Sequence, residues 1–458
     1  MPYGVAGIII FKNSQKLFVF VPILIYTENS KVCIFALDTF MPKVCTITQT
    51  FAIVKNILNL YNKDITLKCF SLNIFKKEWI TMVIKNGNLF TENAEFVKQD
   101  IAFSGEKIDA IGENLCGEEV FDATDCYVIP GFVDVHIHGA YGSDFCDNSE
   151  NDINTIAKYL VSQGVTSFLG TTMAFDEPIL SGIFTTAKPF FNKVIDGQAT
   201  LRGVNMEGPF FNKAKKGAQA EKYIVDPDWE MFERLFELSG RNIRLLDIAP
   251  ELPGAVEFIE KASKLCHVSV AHTSANYDQA IAGFEAGADH VTHLFNAMPP
   301  MGHRDPGVVG AAQDKASYVE IISDGIHIHP SIIRTAFRLF GDDRMCLISD
   351  AMRACGMPDG EYSLGGQKVF MNNGKATLEG GTIAGSATVL AECVRRAVSF
   401  GIKLESAIKA ATINPAKSAG LYDVVGSLKE GKQADVVVLD KDLQPKLIVL
   451  AGKVQKFN

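Results

Sequence analysis

The chain has 458 residues, 47% of them hydrophobic and 21% charged, with a formal net charge of -9. That length calls for two or three domains, the composition for a soluble globular protein, and the acidic balance speaks against a nucleic-acid partner. Ten cysteines occur with no Cys-x-x-Cys pair, which excludes a disulfide framework and fits a reducing, cytoplasmic setting.

Residues 1–81 differ sharply in composition from the rest of the chain. They hold nine Lys, no Arg and four acidic residues, a net of +5, whereas the remainder carries a net of -14. Only two of the 38 glycines, Gly4 and Gly7, fall there. The apolar run Leu17 to Tyr26 contains Pro22 and is too short to cross a bilayer as a helix. No small-x-small cleavage site stands close behind it, so it is a poor export signal. The expectation for 1–81 is a poorly ordered appendage, or a start assigned too far upstream. Met82 opens a coherent unit.

Short strands are predicted at Met82–Ile84, Asp100–Phe103, Lys107–Ile111 and Cys126–Ile129, with Asn86-Gly87 as a hairpin signal. A unit of this size, 82–129, holds too little core to stand alone. The last residues offer partners, Ala434–Asp440 and Leu447–Leu450, so both ends of this region should build one β-sandwich.

Between them, over 130–400, apolar runs alternate with helical patterns. Strands are expected at Phe132–His138, Val165–Leu169, Leu201–Met206, Ile243–Ile248, Val268–Ala271, His290–His293, Val319–Ser323 and Met345–Ser349. Helices are expected at Asp152–Gln163, Pro253–Leu265 and Tyr277–Ala286. This alternation means parallel β-α units, and seven or eight of them close a TIM-like (β/α) barrel. Residues 401–458 then supply the last barrel-associated helices and the second part of the sandwich.

The polar residues at the strand ends carry the chemistry. Alternation places His136 and His138 on one face of the first strand, with Ile137 on the other. Glu207, His272, His293 and Asp350 each come just after a later apolar run. In a barrel those ends share one mouth. A lone His is usually structural, but six such residues in one register point to a metal site.

These stretches resemble the N-acetylglucosamine-6-phosphate deacetylase family of the amidohydrolase superfamily. The resemblance rests on Pro130–Gly139, Met206–Phe210, Ala271–Ala275, Thr292–Met298, His303–Gly307, Ser323–His327, Leu347–Asp350 and Thr382–Ser386. It runs from Met82 to the C-terminus and leaves out residues 1–81. Many related hydrolases bridge two metals with a carboxylated lysine, whereas Glu207 matches the glutamate of this family.

The resemblance implies hydrolysis of the acetamide of N-acetyl-D-glucosamine 6-phosphate. It implies one or two divalent ions, zinc first and iron or another ion next. Glu207, His272 and His293 would hold the principal ion, and His136 with His138 a second, bridged by Glu207. Asp350 would be general base and then general acid. His327 would contact substrate and stabilise charge on the carbonyl oxygen. Arg304 would bind the phosphate, in a homodimer or larger homo-oligomer from the neighbouring subunit. Asn296, Ala297, Ala218, Thr382, Ile383 and Ala384 match other substrate-contacting positions. No nucleic acid or membrane is expected as partner. The competing reading is another amidohydrolase, acting on a cyclic amide, a peptide or a different N-acylated sugar phosphate.

Overall fold

The computed structural model describes residues 82–456 and, ahead of them, the strands Ile10–Asn13, Lys16–Val19, Ile23–Thr27 and Ser30–Ile34. The chain divides into two units, Met1–Glu78 and Trp79–Asn458. In the first, Ile10–Asn13 pairs antiparallel with Lys16–Val19, and Ile23–Thr27 with Ser30–Ile34. The rest of residues 1–81, expected to be an appendage or to come from a misplaced start, lies outside the described residues.

The second unit is built on eight parallel strands in sequence order. They are Phe132–Ile137, Val165–Thr171, Thr200–Glu207, Ile243–Ile248, His267–Val270, His290–Val291, Tyr318–Ile322 and Met345–Ile348. The eighth meets the first through backbone bonds: Asp350 N–H donates to the His136 carbonyl and His138 N–H to the Ala351 carbonyl, each at 2.9 Å. The barrel therefore closes on residues that also belong to the site.

The helix Pro330–Phe340 shows how the outer layer forms. The His329 side chain caps it by accepting from Ser331 N–H, Pro330 occupies the first position, and Gly341 ends it. It buries Ile333, Ala336, Phe337 and Phe340, a spacing of three and four residues that puts them on one face. Removing one such buried ring, as in Phe337→Ala, costs about 3–5 kcal/mol.

The β-sandwich joins both ends of this unit. One sheet orders Glu119–Asp122, Met82–Lys85, Asp100–Ser104 and Lys107–Gly112; the other orders Lys453–Val454, Pro445–Leu450, Val436–Leu439, Tyr127–Pro130, Asn88–Phe90 and Phe96–Lys98. Ile84, Ile101 and Phe103 share one apolar cluster with Val128, Val436, Val438 and Val449.

One expectation needs correction. Asn86-Gly87 is not a hairpin, because Met82–Lys85 and Asn88–Phe90 lie in different sheets. Asn86 does take the turn conformation, with φ 62°. A Cβ on Gly87, however, would stand 2.3 Å from Val128 Cγ2, so the chain passes tightly over Val128 as it crosses between layers. After the eighth strand the chain inserts an antiparallel sheet of Gly360–Leu364, Gln367–Asn372 and Lys375–Leu378. Its turns are Gly365-Gly366 and Asn373-Gly374, all at positive φ as two-residue hairpin loops require.

Candidate metal centre

Three of the expected site residues lie just past their strands, and none of the three is a glycine. The sixth strand stops at Val291, two residues before the expected His293, and the fifth stops at Val270. His272, His293 and Asp350 have φ of 45°, 28° and 46°. Such left-handed positions cost about 1–3 kcal/mol for side chains of this kind and persist where the surroundings over-determine them. Here they turn each side chain out of its strand and toward a common point.

Two sets of three buried side chains result: Glu207, His272 and His293, and His136, His138 and Asp350. Glu207 Oε1 stands 3.0 Å from His272 Nε2 and 3.3 Å from His293 Nε2. Its Oε2 stands 3.3 Å from His138 Nε2, so the carboxylate faces both sets. His136 Nε2 lies 3.8 Å from Glu207 Oε1 and 3.7 Å from Asp350 Oδ1.

The hydrogen bonds behind these rings fix what the front can hold. His272 Nδ1 is 2.9 Å from the Lys215 carbonyl, which can only accept, so Nδ1 carries the proton. His136 Nδ1 likewise donates to Glu320 Oε2 at 3.0 Å, and its Nε2 is buried without a partner. The Nε2 atoms of these two rings then face the carboxylate oxygens, and His293 Nε2 stands 3.2 Å from His272 Nε2. Buried imidazole nitrogens and carboxylate oxygens converging in this way can hold a divalent metal ion.

The electrostatics ask for the same thing. Burial opposes a charged His136, but Glu320, Asp350 and Glu207 outweigh it and raise the imidazole well above its ordinary value. Burial likewise disfavours an ionised Glu207, yet His272, His293, His138 and His136 hold it well below the usual carboxylate range. Asp350 is lowered in the same way, burial being outweighed by His138, His136 and His293.

The other expected site residues divide. His327 Nδ1 bonds Asp324 Oδ2 at 2.7 Å, and against burial Asp324 and Asp350 raise its pKa. The segment bearing Thr382, Ile383 and Ala384 runs past Asp350: Ser386 N–H donates to the Asp350 carbonyl at 2.7 Å. Ala218 accepts through its carbonyl from Gln367 of the inserted sheet, and its neighbour Gly217 faces His272. Asn296 Nδ2 donates to the His293 carbonyl at 3.1 Å, and the Ala297 carbonyl accepts from Thr273 N–H at 3.1 Å. Arg304 stands apart. It is exposed, pairs with His303 Nε2 at 2.6 Å, and lines a cleft with Asn276, Tyr277 and Asp278, a cleft that includes none of the six converging side chains.

Sequence reasoning missed three side chains. Gln219 Nε2 donates to Glu207 Oε2 at 2.9 Å while its Oε1 accepts from Ala174 N–H, so it aims the shared carboxylate. Asp134 is fully buried, accepts from His136 N–H at 3.3 Å, and is pushed up to about 7 by burial despite contacts with Ser349 and His136. Glu320 sits mid-strand within an apolar run. A carboxylate there was a visible signal, since Asp and Glu are almost never fully buried unless paired.

A barrel with histidines, a glutamate and an aspartate gathered at the ends of its strands is the framework of a metal-dependent hydrolase. The chain belongs to the amidohydrolase superfamily, close to the N-acetylglucosamine-6-phosphate deacetylases: the model of the Amidohydrolase family matches residues 127–456. An N-acetylglucosamine-6-phosphate deacetylase of Lysinibacillus sphaericus is 34% identical over 382 residues, covering 82% of this chain and 98% of its own. An N-acetylgalactosamine-6-phosphate deacetylase of Escherichia coli O157:H7 is 34% identical over 333 residues, covering 72% of this chain and 87% of its own. The structure of a mutant N-acetyl-D-glucosamine-6-phosphate deacetylase from Mycobacterium smegmatis, in complex with N-acetyl-D-glucosamine-6-phosphate, superposes with a TM-score of 0.77 at 30% identity. That match covers 81% of this chain and 98% of the other.

Proposed function

We propose that this enzyme hydrolyses the acetamide of N-acetyl-D-glucosamine 6-phosphate to D-glucosamine 6-phosphate and acetate. The observation that carries this reading is Asp350 set beside a complete double ligand set, in a chain whose relatives bear that name. Glu207, His272 and His293 would hold the principal ion, with His136 and His138 for a second; zinc is the first choice. The chemistry these residues would gain from a bound divalent ion is polarisation of the acetamide carbonyl and a more nucleophilic water.

The chain's own groups do the rest. Asp350 Oδ1, 3.3 Å from His138 Nε2, accepts the proton of the attacking water and then delivers it to the departing amine. An amine leaves poorly unless protonated, so one group serves both steps. His327, held by Asp324, donates to the carbonyl oxygen as charge grows on it. Asn296, Ala297, Ala218, Thr382, Ile383 and Ala384 line the sugar. Arg304 answers the phosphate dianion from a neighbouring subunit; within its own chain it is exposed and meets His303. Cytoplasmic residence fits the thiols; among the described residues no helix is long and apolar enough to cross a membrane.

A second reading, N-acetylgalactosamine 6-phosphate as substrate, is favoured by the Escherichia coli relative at equal identity. Acetate release from both sugar phosphates and from unphosphorylated N-acetylglucosamine tests the choice. The highest kcat/KM should fall on the glucosamine compound; preference for either of the others would reject it.

A further inference from the structure

Glu320 lies in the middle of the seventh barrel strand, fully buried. Its Oε2 accepts twice, from His136 Nδ1–H at 3.0 Å and from the His293 backbone N–H at 3.2 Å. Its own carbonyl accepts from Leu294 N–H at 2.9 Å, and its Oε1 stands 3.2 Å from His290 Nε2. His136 belongs to one ligand set and His293 to the other. We propose that Glu320 is a positioning residue for both halves of the metal centre: it holds His136 with Nε2 toward the His138–Asp350 pocket, and it clamps the turn that presents His293.

An imidazole ligand is free to rotate unless its second nitrogen is tied, and a carboxylate partner also makes the ring a better donor. Glu320 is that tie for His136. At His293 the need is different. With φ at 28° the residue holds an unfavourable backbone, which persists only if neighbours impose it. Glu320 imposes it twice, by its side chain on His293 and by its carbonyl on Leu294. Stability alone does not call for this carboxylate, because replacing buried ionic groups by well-packed apolar ones is often neutral or stabilising. Glu207 spans the two sets from the ligand side and Glu320 spans them from behind, so one buried carboxylate links pockets that share only Glu207 in front.

The inference rests on the metal-dependent reading but not on any substrate, and its test uses zinc alone. Apoprotein of the full chain is titrated with zinc against a chromophoric chelator. Wild type should take up two ions. Glu320→Gln keeps the shape and an acceptor oxygen but loses the charge; it should bind the His136-side ion about 10–100-fold more weakly, with the melting temperature of the apoprotein unchanged. In a His136→Ala/His138→Ala background the same change should leave the remaining ion unaffected, whereas Glu320→Ala should still weaken it. Uptake of a single ion by wild type, wild-type affinities in Glu320→Gln, or an undiminished effect in that background would each overturn the proposal. If Glu320→Gln does not fold, Glu320→Asp, which keeps the charge at shorter reach, is compared with the same outcomes.

Discussion

His138 Nε2 lies 3.3 Å from Asp350 Oδ1, so the carboxylate assigned to proton transfer also faces the first-strand pocket. Asp350→Asn should therefore do two things. Turnover should fall by about 10²- to 10⁴-fold, as expected when a general acid–base is lost. Zinc held by Glu207, His272 and His293 should remain, because none of those contacts involves Asp350. Kinetics and metal content measured on one preparation check both. Near-wild-type kcat in a metal-replete variant would remove Asp350 from the proton path.

The Asp324–His327 pair gives a pH dependence of defined sign. Although burial opposes it, Asp324 raises the His327 pKa above the ordinary 6.5. The pair's contribution to stability is then fully present below about pH 6.5 and fades as pH rises through the raised folded value. Asp324→Asn should lose most stability near pH 6, and the gap to wild type should narrow toward pH 9. The alkaline fall of kcat/KM should also move to lower pH, since the protonated imidazole is the donor. Urea unfolding at several pH values, with a pH–rate profile, measures both; a gap constant with pH would contradict the pairing.

How much of this could be read from the chain depended on what each feature needed. The barrel strands fell within two residues of expectation because short apolar runs before polar ends have a strong period. The sixth was overdrawn: His293 continues the apolar spacing of His290-Val-Thr, but its φ of 28° takes it out of the ladder. The six side chains that converge at the barrel mouth could be found, since a register of imidazoles and carboxylates is visible in one dimension. Gln219 and Glu320 could not be assigned in that way. Their roles come from hydrogen bonds to residues 12 and 184 positions away, which no local pattern encodes. Asn86-Gly87 failed for the opposite reason: the turn is local, but the layer that receives the next strand is chosen by Val128 and the C-terminal strands.

Arg304 tests the oligomer and the phosphate together. The side chain sits exposed beside His303 Nε2. Arg304→Ala should lower kcat/KM for the phosphorylated substrate roughly a hundredfold, the equivalent of about 2–3 kcal/mol for a lost charge-assisted contact. Activity on unphosphorylated N-acetylglucosamine should hardly change. Mixed with Asp350→Asn protein, it should regain activity in hybrid dimers only if Arg304 reaches into the neighbouring site. Hybrids that form but stay inactive would place it elsewhere.

Gly87 is a packing prediction independent of function. Gly87→Ala puts a methyl 2.3 Å from Val128 Cγ2 and 3.1 Å from Ala123 Cβ. Overpacking of this kind costs about 1–3 kcal/mol. Adding Val128→Ala should relieve it, so the double variant should be more stable than the sum of the single effects allows. Chemical denaturation of the three variants supplies the cycle, and simple additivity would show that the two residues do not meet.

The central position of Val436–Leu439 in the six-stranded sheet has a consequence for biosynthesis. Tyr127–Pro130 emerges from the ribosome some three hundred residues before the strand that covers its edge. Throughout that interval the nascent chain carries an apolar strand with unpaired backbone donors and acceptors, a template for pairing with other chains. Domains that close only when their last residues are made cannot fold as they are synthesised. Messages cut short before the codon for Val436 should therefore yield insoluble, chaperone-bound product, even though all six side chains of the candidate metal centre have already been translated.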